Sequence, residues 1–217
     1  SLSYVTIRDA TASRQDPLNL KAAVSGYDSD LTLDHVDIDA LQPIFARYGS
    51  TTLNNCRIHI RFTGDGINIK SGNGAVVDST FTGNPSPDTD AIDCDNVPGG
   101  LIQGNRIYAF LGFNSDAIDV GEGCQDLMVV SNRIFNITDK GVSVGQASVA
   151  YIERNLIVDC DIGVGVKDAG STAYIDQNTF ARNNYGVSVY EKNLGAGGGI
   201  AWVENSIFSR IKTAPVE

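Results

Sequence analysis

The sequence is poor in several residue types. In 217 residues, cysteine occurs four times, histidine twice, proline six times, and methionine and tryptophan once each. Cys56, Cys94, Cys124 and Cys160 are scattered. Their spacing matches no zinc site and gives no disulfide framework, and a free buried thiol is a small hydrophobe. No apolar run approaches a membrane span. No long stretch has a helical period, so helix content is expected near zero. Positive charge is scarce: 16 Lys and Arg against 26 Asp and Glu, a net charge of −10. That excludes a nucleic-acid partner, whose phosphates need a basic surface. An acidic sugar stays possible where a cation or a local basic patch mediates. No signal peptide opens the chain, since Leu2-Ser-Tyr-Val-Thr-Ile7 already reads as a strand. The chain begins and ends mid-pattern, which marks it as a mature or excised piece of a longer protein.

What is abundant is repetition. A small–aliphatic–polar–aliphatic unit returns at Gly66-Ile67-Asn68-Ile69, Ala91-Ile92-Asp93-Cys94, Ala117-Ile118-Asp119-Val120, Gly141-Val142-Ser143-Val144, Gly163-Val164-Gly165-Val166 and Gly186-Val187-Ser188-Val189. The steps are 25, 26, 24, 22 and 23 residues. An Asn between apolar residues keeps the same beat at Asn105, Asn132, Asn155, Asn178 and Asn205. Two short β patterns per period of this length define a solenoid whose coils stack on their neighbours. The 23 glycines suit many tight turns. The expected fold is all-β, a right-handed parallel β-helix of about nine coils forming a single domain over residues 1–217. First strands are placed near Leu2, Leu31, Thr51, Ala75, Leu101, Leu127, Ala150, Ala173 and Ala201.

The recurring Asn suits a corner with left-handed backbone, and identical Asn side chains on stacked coils can bond as a ladder. Two segments depart from the repeat: Asn84-Pro-Ser-Pro-Asp-Thr89 and the Gly-rich Glu191–Gly199. Loops on a rigid solenoid are the usual place for binding.

Registering the coils on the small residue lines polar residues up in columns. Just before it stand Asp65, Asp90, Asp116 and Lys140. Two after it come Asn68, Asp93, Asp119 and Ser143, and four after it Lys70, Asp95, Gly121, Gly145, Lys167 and Tyr190. One further stand Ser71, Asn96, Glu122, Gln146 and Asp168. Coils lie roughly 4.8 Å apart, so the six acids from Asp90 to Glu122 should share one patch with Lys140 on its edge. Three readings fit that patch. The acids make solvated Asx turns paired with Lys140, they hold a calcium ion, or they act in catalysis.

The x-Asp-Gly-Ile-x-Ile and Ile-x-x-Asn-x-Ile units resemble the right-handed parallel β-helix repeats of the pectin-lyase-like superfamily across essentially the whole chain. That resemblance implies the fold. Its members include polysaccharide lyases, glycoside hydrolases, epimerases, phage tailspikes and adhesins. Asp88-Thr-Asp-Ala-Ile-Asp93, Asn114-Ser-Asp-Ala-Ile-Asp119 and Thr138-Asp-Lys-Gly141 resemble the motif succession of polygalacturonase-type hydrolases. Only Asp90 and Asp116 match it, however, and Lys140 replaces its His. A calcium-assisted lyase is chemically more compatible. The resemblance then implies calcium at Asp90, Asp93, Asp116 and Asp119, with Lys140 or Lys167 as the base and Asp116 in the catalytic group. Tyr190 and Asp168 would contact the sugar. The expected function is a module, extracellular or at the cell surface, that binds or processes acidic polysaccharide. The alternative is a non-catalytic structural, adhesion or self-assembling module. Neither a nucleic-acid nor a membrane partner is expected, and self-association through the open solenoid ends is.

His35 and His59 read as surface residues of early strands, away from the patch. Tyr185, Tyr190 and Trp202 either stack on a sugar or cap the core. Asn136-Ile-Thr138 is a glycosylation-type triplet of low specificity.

Overall fold

The computed structural model describes residues 1–10 and 22–217. Among these there is no helix. The chain winds as a parallel solenoid with three strand faces. The first face is a nine-stranded sheet built from Leu2–Ser3, Leu31–Asp34, Thr51–Asn54, Gly74–Val77, Gly100–Gln103, Leu127–Val130, Val149–Glu153, Thr172–Asp176 and Ile200–Glu204, in that spatial order. Each starts within a residue of its expected position. We number the coils 1 to 9 by these strands. Seven of them, from Leu31 to Tyr190, lie between an opening and a closing coil.

Second-face strands include Arg57–Ile60, Thr80–Thr82 and Arg106–Phe110, and third-face strands include Ile67–Lys70, Ile92–Asp95, Ile118–Gly121 and Tyr185–Tyr190. In coils 6 and 7 the two faces run together as the single strands Arg133–Val144 and Leu156–Lys167. All pairing is parallel and in the expected register, for example Asp93 with Asn68 and Asp119.

Alternation turns one residue in two inward. The column Ile67, Ile92, Ile118, Val142, Val164 and Val187 is fully buried. Each rung contributes roughly 1.5–3 kcal/mol. The four cysteines are free and buried, and Cys94 fills the place of Ile69 and Val120. Like side chains on adjacent coils stack at the coil spacing. Tyr151 and Tyr174 have centroids 5.0 Å apart, as do Phe180 and Phe208. The small residue of each unit is a steric demand: a Cβ on Gly163 would sit 2.4 Å from the Gly186 carbonyl oxygen.

The Asn ladder runs through Asn105, Asn132, Asn155 and Asn178. Each of the first three donates its Nδ2 to the Oδ1 of the next, at 3.0 Å. Asn205 is not a member. The pairing of Asp176 with Glu204 puts Ser206 in register with Asn178, and the Asn178 N–H goes to Ser206 Oγ. The left-handed residue is also not the ladder Asn but the one before it: Ser131, Arg154 and Gln177, with φ of 58, 55 and 55°. A left-handed L-residue costs roughly 1–2 kcal/mol, against about 0.5–1 for the entropy of Gly. Arg154→Gly should therefore raise the melting temperature slightly and Arg154→Val should lower it, as thermal denaturation would show. The exposed Arg154–Glu153 pair, at 3.1 Å, adds little.

Candidate functional site

The acids of coils 3 to 5 occupy two distinct places on the third face. Asp65, Asp90 and Asp116 stand at the corner leading into the strand. There each carboxylate turns toward the next coil and accepts a backbone N–H: Asp90 N to Asp65 Oδ1 at 3.3 Å, Asp116 N to Asp90 Oδ1 at 2.6 Å, and Lys140 N to Asp116 Oδ1 at 2.9 Å. This is a second ladder, made of carboxylates. It ends on Lys140, whose Nζ lies 3.1 Å from Asp116 Oδ1 and also bonds Asp139. Asp116 is 5% exposed and Lys140 3%, so this pair is buried, whereas Asp65 and Asp90 keep part of their surface in solvent.

The outward column carries Asn68, Asp93, Asp119 and Ser143, one per coil. Asn68 donates its amide to Asp93 and to Asp95 Oδ2. Lys70 pairs with Asp95 at 3.3 Å and with Glu122 at 2.8 Å. Three buried oxygens here, Asn68 Oδ1, Asp119 Oδ1 and Ser143 Oγ, have no hydrogen-bond partner. Beyond them, missing side chains make room for long ones. A Cβ on Gly145 would meet Lys167 Cε at 2.8 Å, and one on Gly165 would meet Lys140 Cδ at 2.7 Å and the Tyr190 ring at 3.6 Å. The lysines thus lie flat in a glycine trench. Lys167 Nζ reaches to 3.6 Å from Asp119 Oδ1.

Crowding sets the protonation of this face. Burial pushes the Asp93 carboxyl up to about 9, with Asp65, Asp95 and Asp119 adding repulsion. Asp90 is held well above the carboxylate range by burial, then by Asp116 and Asp65. Burial raises Asp65 and Asp116 to about 6, and at Asp116 Lys140 pulls the other way. Burial pulls Lys140 down, but Asp116 and Asp139 outweigh it and the ammonium is held charged. As arranged, Lys140 is a buried cation and has no free pair to accept a proton.

Among the described residues no three His, Cys, Asp or Glu side chains converge to hold a metal ion. Asp90 and Asp116 face backbone amides and Lys140, while Asp93 and Asp119 lie in the outward column. The four do not form a calcium cage, and the counter-charge beside Asp116 is the Lys140 ammonium. Asp168 is tied to the Gly-rich loop. Its Oδ1 accepts Lys192 N at 2.7 Å and Asn193 N at 2.9 Å, and bonds from Asn193 and Lys192 hold its carboxyl below the usual range. Tyr190 is half-buried beside Lys167 and Lys140. The unpartnered Asn68 and Ser143 stand in the polar column read from sequence but are given no role there, and Asp139 is not singled out. Adjacency to Lys140 is the one signal Asp139 carries there.

Stacked parallel coils, internal ladders and a polar outer column define a β-solenoid protein. The chain belongs to the right-handed β-helix region family, whose model matches residues 22–208. It is similar to the A-module of the mannuronan C-5 epimerase of Azotobacter vinelandii. The identity is 12% over 99% of this chain and 76% of that one, with a TM-score of 0.35. It is also similar to the catalytic unit of an α-1,3-glucanase of Streptomyces thermodiastaticus. Here the identity is 10% over 96% of this chain and 54% of that one, with a TM-score of 0.30. Neither likeness bears on this chain's activity. No curated protein matches it in sequence.

Proposed function

We propose that the third face of coils 3 to 7 binds an acidic polysaccharide lying along the solenoid axis, outside the cell or at its surface. The observation that carries this is the set of unpartnered buried oxygens on Asn68, Asp119 and Ser143. A buried polar atom without a partner is costly. Sugar hydroxyls meet the column first at the Asp119 side chain, 27% exposed, and supply the missing donors beneath as the lysines over the glycine trench shift aside. Lys167, the cation beside Asp119 in the glycine trench, is the group that meets a uronate carboxylate.

The chemistry this arrangement suits best is lyase-type. Elimination needs the uronate carboxylate neutralised and a base that takes the neighbouring C5–H. The C4–C5 double bond forms as the C4–O glycosidic bond breaks, and the abstracted proton passes from the base to the departing oxygen. Asp93, whose carboxyl burial pushes up to about 9, is the donor for the first task, with the Asn68 amide holding it in place. Lys167 as the neutral amine is the candidate for the second, whereas as an ammonium meeting the carboxylate it serves binding alone. Lys140 positions Asp116 and the coil corner. The charged, buried state of Lys140 favours the second reading, a surface that binds without catalysis.

One experiment separates the two. Uronate polysaccharides are incubated with the protein, with and without calcium, and the ultraviolet absorbance of an unsaturated product is followed. Retardation in gels containing the same polysaccharides reports binding. A lyase gives a signal that falls at least about 10²-fold in Lys167→Ala and declines above about pH 9 as Asp93 loses its proton. Binding without product establishes the non-catalytic reading. Neither binding nor product on any uronate overturns both.

A further inference from the structure

The second face carries a different feature, a gap in a side-chain stack. Its outward column runs Asp39, His59, Thr82, Tyr108 and Phe135 on coils 2 to 6. Tyr108 and Phe135 stack with centroids 5.1 Å apart and planes 3° from parallel. Arg106 covers both rings, its guanidinium 5.1 and 4.7 Å from their centroids. The stack stops at coil 4, where the residue is Thr82. On the far side, His59 lines the groove, with its Nδ1 held 3.0 Å from Asp39 Oδ1. Tyr108 and His59 are two coils apart, so the gap between them is roughly 9.6 Å, twice the strand spacing. One ring-sized position of the stack is empty.

The gap lies toward one end of a groove of about 360 Å³ that runs along the second face from Thr6 and Arg8 on coil 1, past Asp37 and His59, to Thr82 on coil 4. Tyr108 lines its coil-5 end. The rim mixes donors and acceptors: Arg57, His59 and Arg8 against Asp37 and Asp39, all lining the same cavity. Arg57 lies 3.6 Å from Asp37 in a loose, exposed pair that a ligand can open at little cost. An aromatic wall with hydroxyls below and paired donors and acceptors at the edge suits a saturated, hydroxylated ring. The apolar C–H face of such a ring packs on the aromatic, and each hydroxyl both donates and accepts. Balanced charge at the rim points to a neutral ring rather than an anionic one.

We infer that this slot binds one neutral pyranose residue of a glycan, sandwiched between Tyr108 and His59. It is a sugar site on a different face from the acidic-polysaccharide surface and does not rest on it.

The test is saturation-transfer difference NMR with cellohexaose, mannohexaose and maltohexaose as probes, with trigalacturonate for comparison. At least one neutral oligosaccharide should show transfer to its ring C–H protons, and trigalacturonate, which the third face takes, should not compete that signal away. Thr82→Phe completes the stack and fills the slot. It should abolish that signal while holding or raising the melting temperature. Tyr108→Ala removes the wall and should weaken binding at least tenfold. Lys167→Ala, on the third face, should leave the signal unchanged, which keeps this test separate from the other site. The inference is overturned if no neutral probe binds, if Thr82→Phe binds as the wild type does, or if Lys167→Ala alone removes the signal.

Discussion

Asn132→Ala should destabilise the protein by roughly 3–5 kcal/mol, at about 1–3 kcal/mol for each buried polar group left unpaired. Asn132 stands mid-ladder and is 1% exposed. Its Oδ1 accepts both the backbone N–H and the Nδ2 of Asn105, each at 3.0 Å. Its Nδ2 reaches the Ile102 carbonyl at 2.8 Å and Asn155 Oδ1 at 3.0 Å. Alanine leaves the Asn105 N–H with no acceptor and shortens the donor supply to both oxygens. Coil stability depends on nearest-neighbour interfaces, so the loss should weaken coils 5 to 7 together. Urea denaturation measures it. Asn205→Ala is the control. Asn205 has the same sequence motif but lies outside the ladder, on the surface, bonded to Asp176 Oδ1 at 2.8 Å. Its left-handed backbone, φ 46°, suits Asn better than Ala, so the loss should be about 1 kcal/mol, well below that at Asn132. Equal losses at the two positions would show that the ladder register is wrong.

That pair of asparagines also marks how far the sequence can be read. The coil starts and the columns were legible because strand alternation has a strict period of 2, and the small residue opening each third-face strand fixes the phase. A one-residue slip would have put Asn68, Asp93 and Asp119 inside, where Ile67, Ile92 and Ile118 are. Corners have no such lock. The turn before Asn205 places Ser206 under Asn178, and letters alone cannot reveal one residue more or less in a turn. Direction at a corner is equally hidden. Asp90 and Asp116 read as members of one acidic patch with Asp93 and Asp119, as turn residues, calcium ligands or catalytic acids. They are instead turned along the axis onto the backbone N–H of the next coil, where unpaired amides need an acceptor. The fate of Lys140 depends on the glycine at position 165 of the neighbouring coil, which matters only once the coils are stacked.

Lys140→Met should cost about 3–5 kcal/mol at pH 8, the usual loss when one partner of a buried ion pair is removed. The cost should be much smaller at pH 5. The wild-type ammonium lies 3.1 Å from Asp116 Oδ1 and also bonds Asp139. Asp116 is sealed from solvent, whereas the Asp139 side chain is 26% exposed. Losing the cation therefore strands mainly Asp116. The pH dependence follows from linkage. Burial raises the folded pKa of Asp116 to about 6, even with Lys140 pulling it down. A carboxyl raised above its unfolded value near 3.9 binds protons more tightly in the native state. Its penalty is absent below pH 4 and grows as pH rises, becoming complete above the folded pKa. In the wild type Asp116 contributes this between about pH 4 and 6, and Asp93, raised to about 9, extends the decline upward. The wild type should thus lose stability from pH 5 to pH 9. Lys140→Met removes the stronger of the two cations that lower Asp116, Lys167 being the weaker, so its loss over that range should be steeper. In the double variant Lys140→Met/Asp116→Asn, the amide oxygen still accepts the backbone N–H of residue 140 and no buried charge remains. It should recover most of the stability at pH 8 and flatten the pH profile. Thermal denaturation of the three proteins at pH 5 and pH 8 decides the matter. A loss in Lys140→Met that is equal at both values and not rescued by Asp116→Asn would mean that the lysine stem packed over Gly165, rather than its charge, holds this corner together.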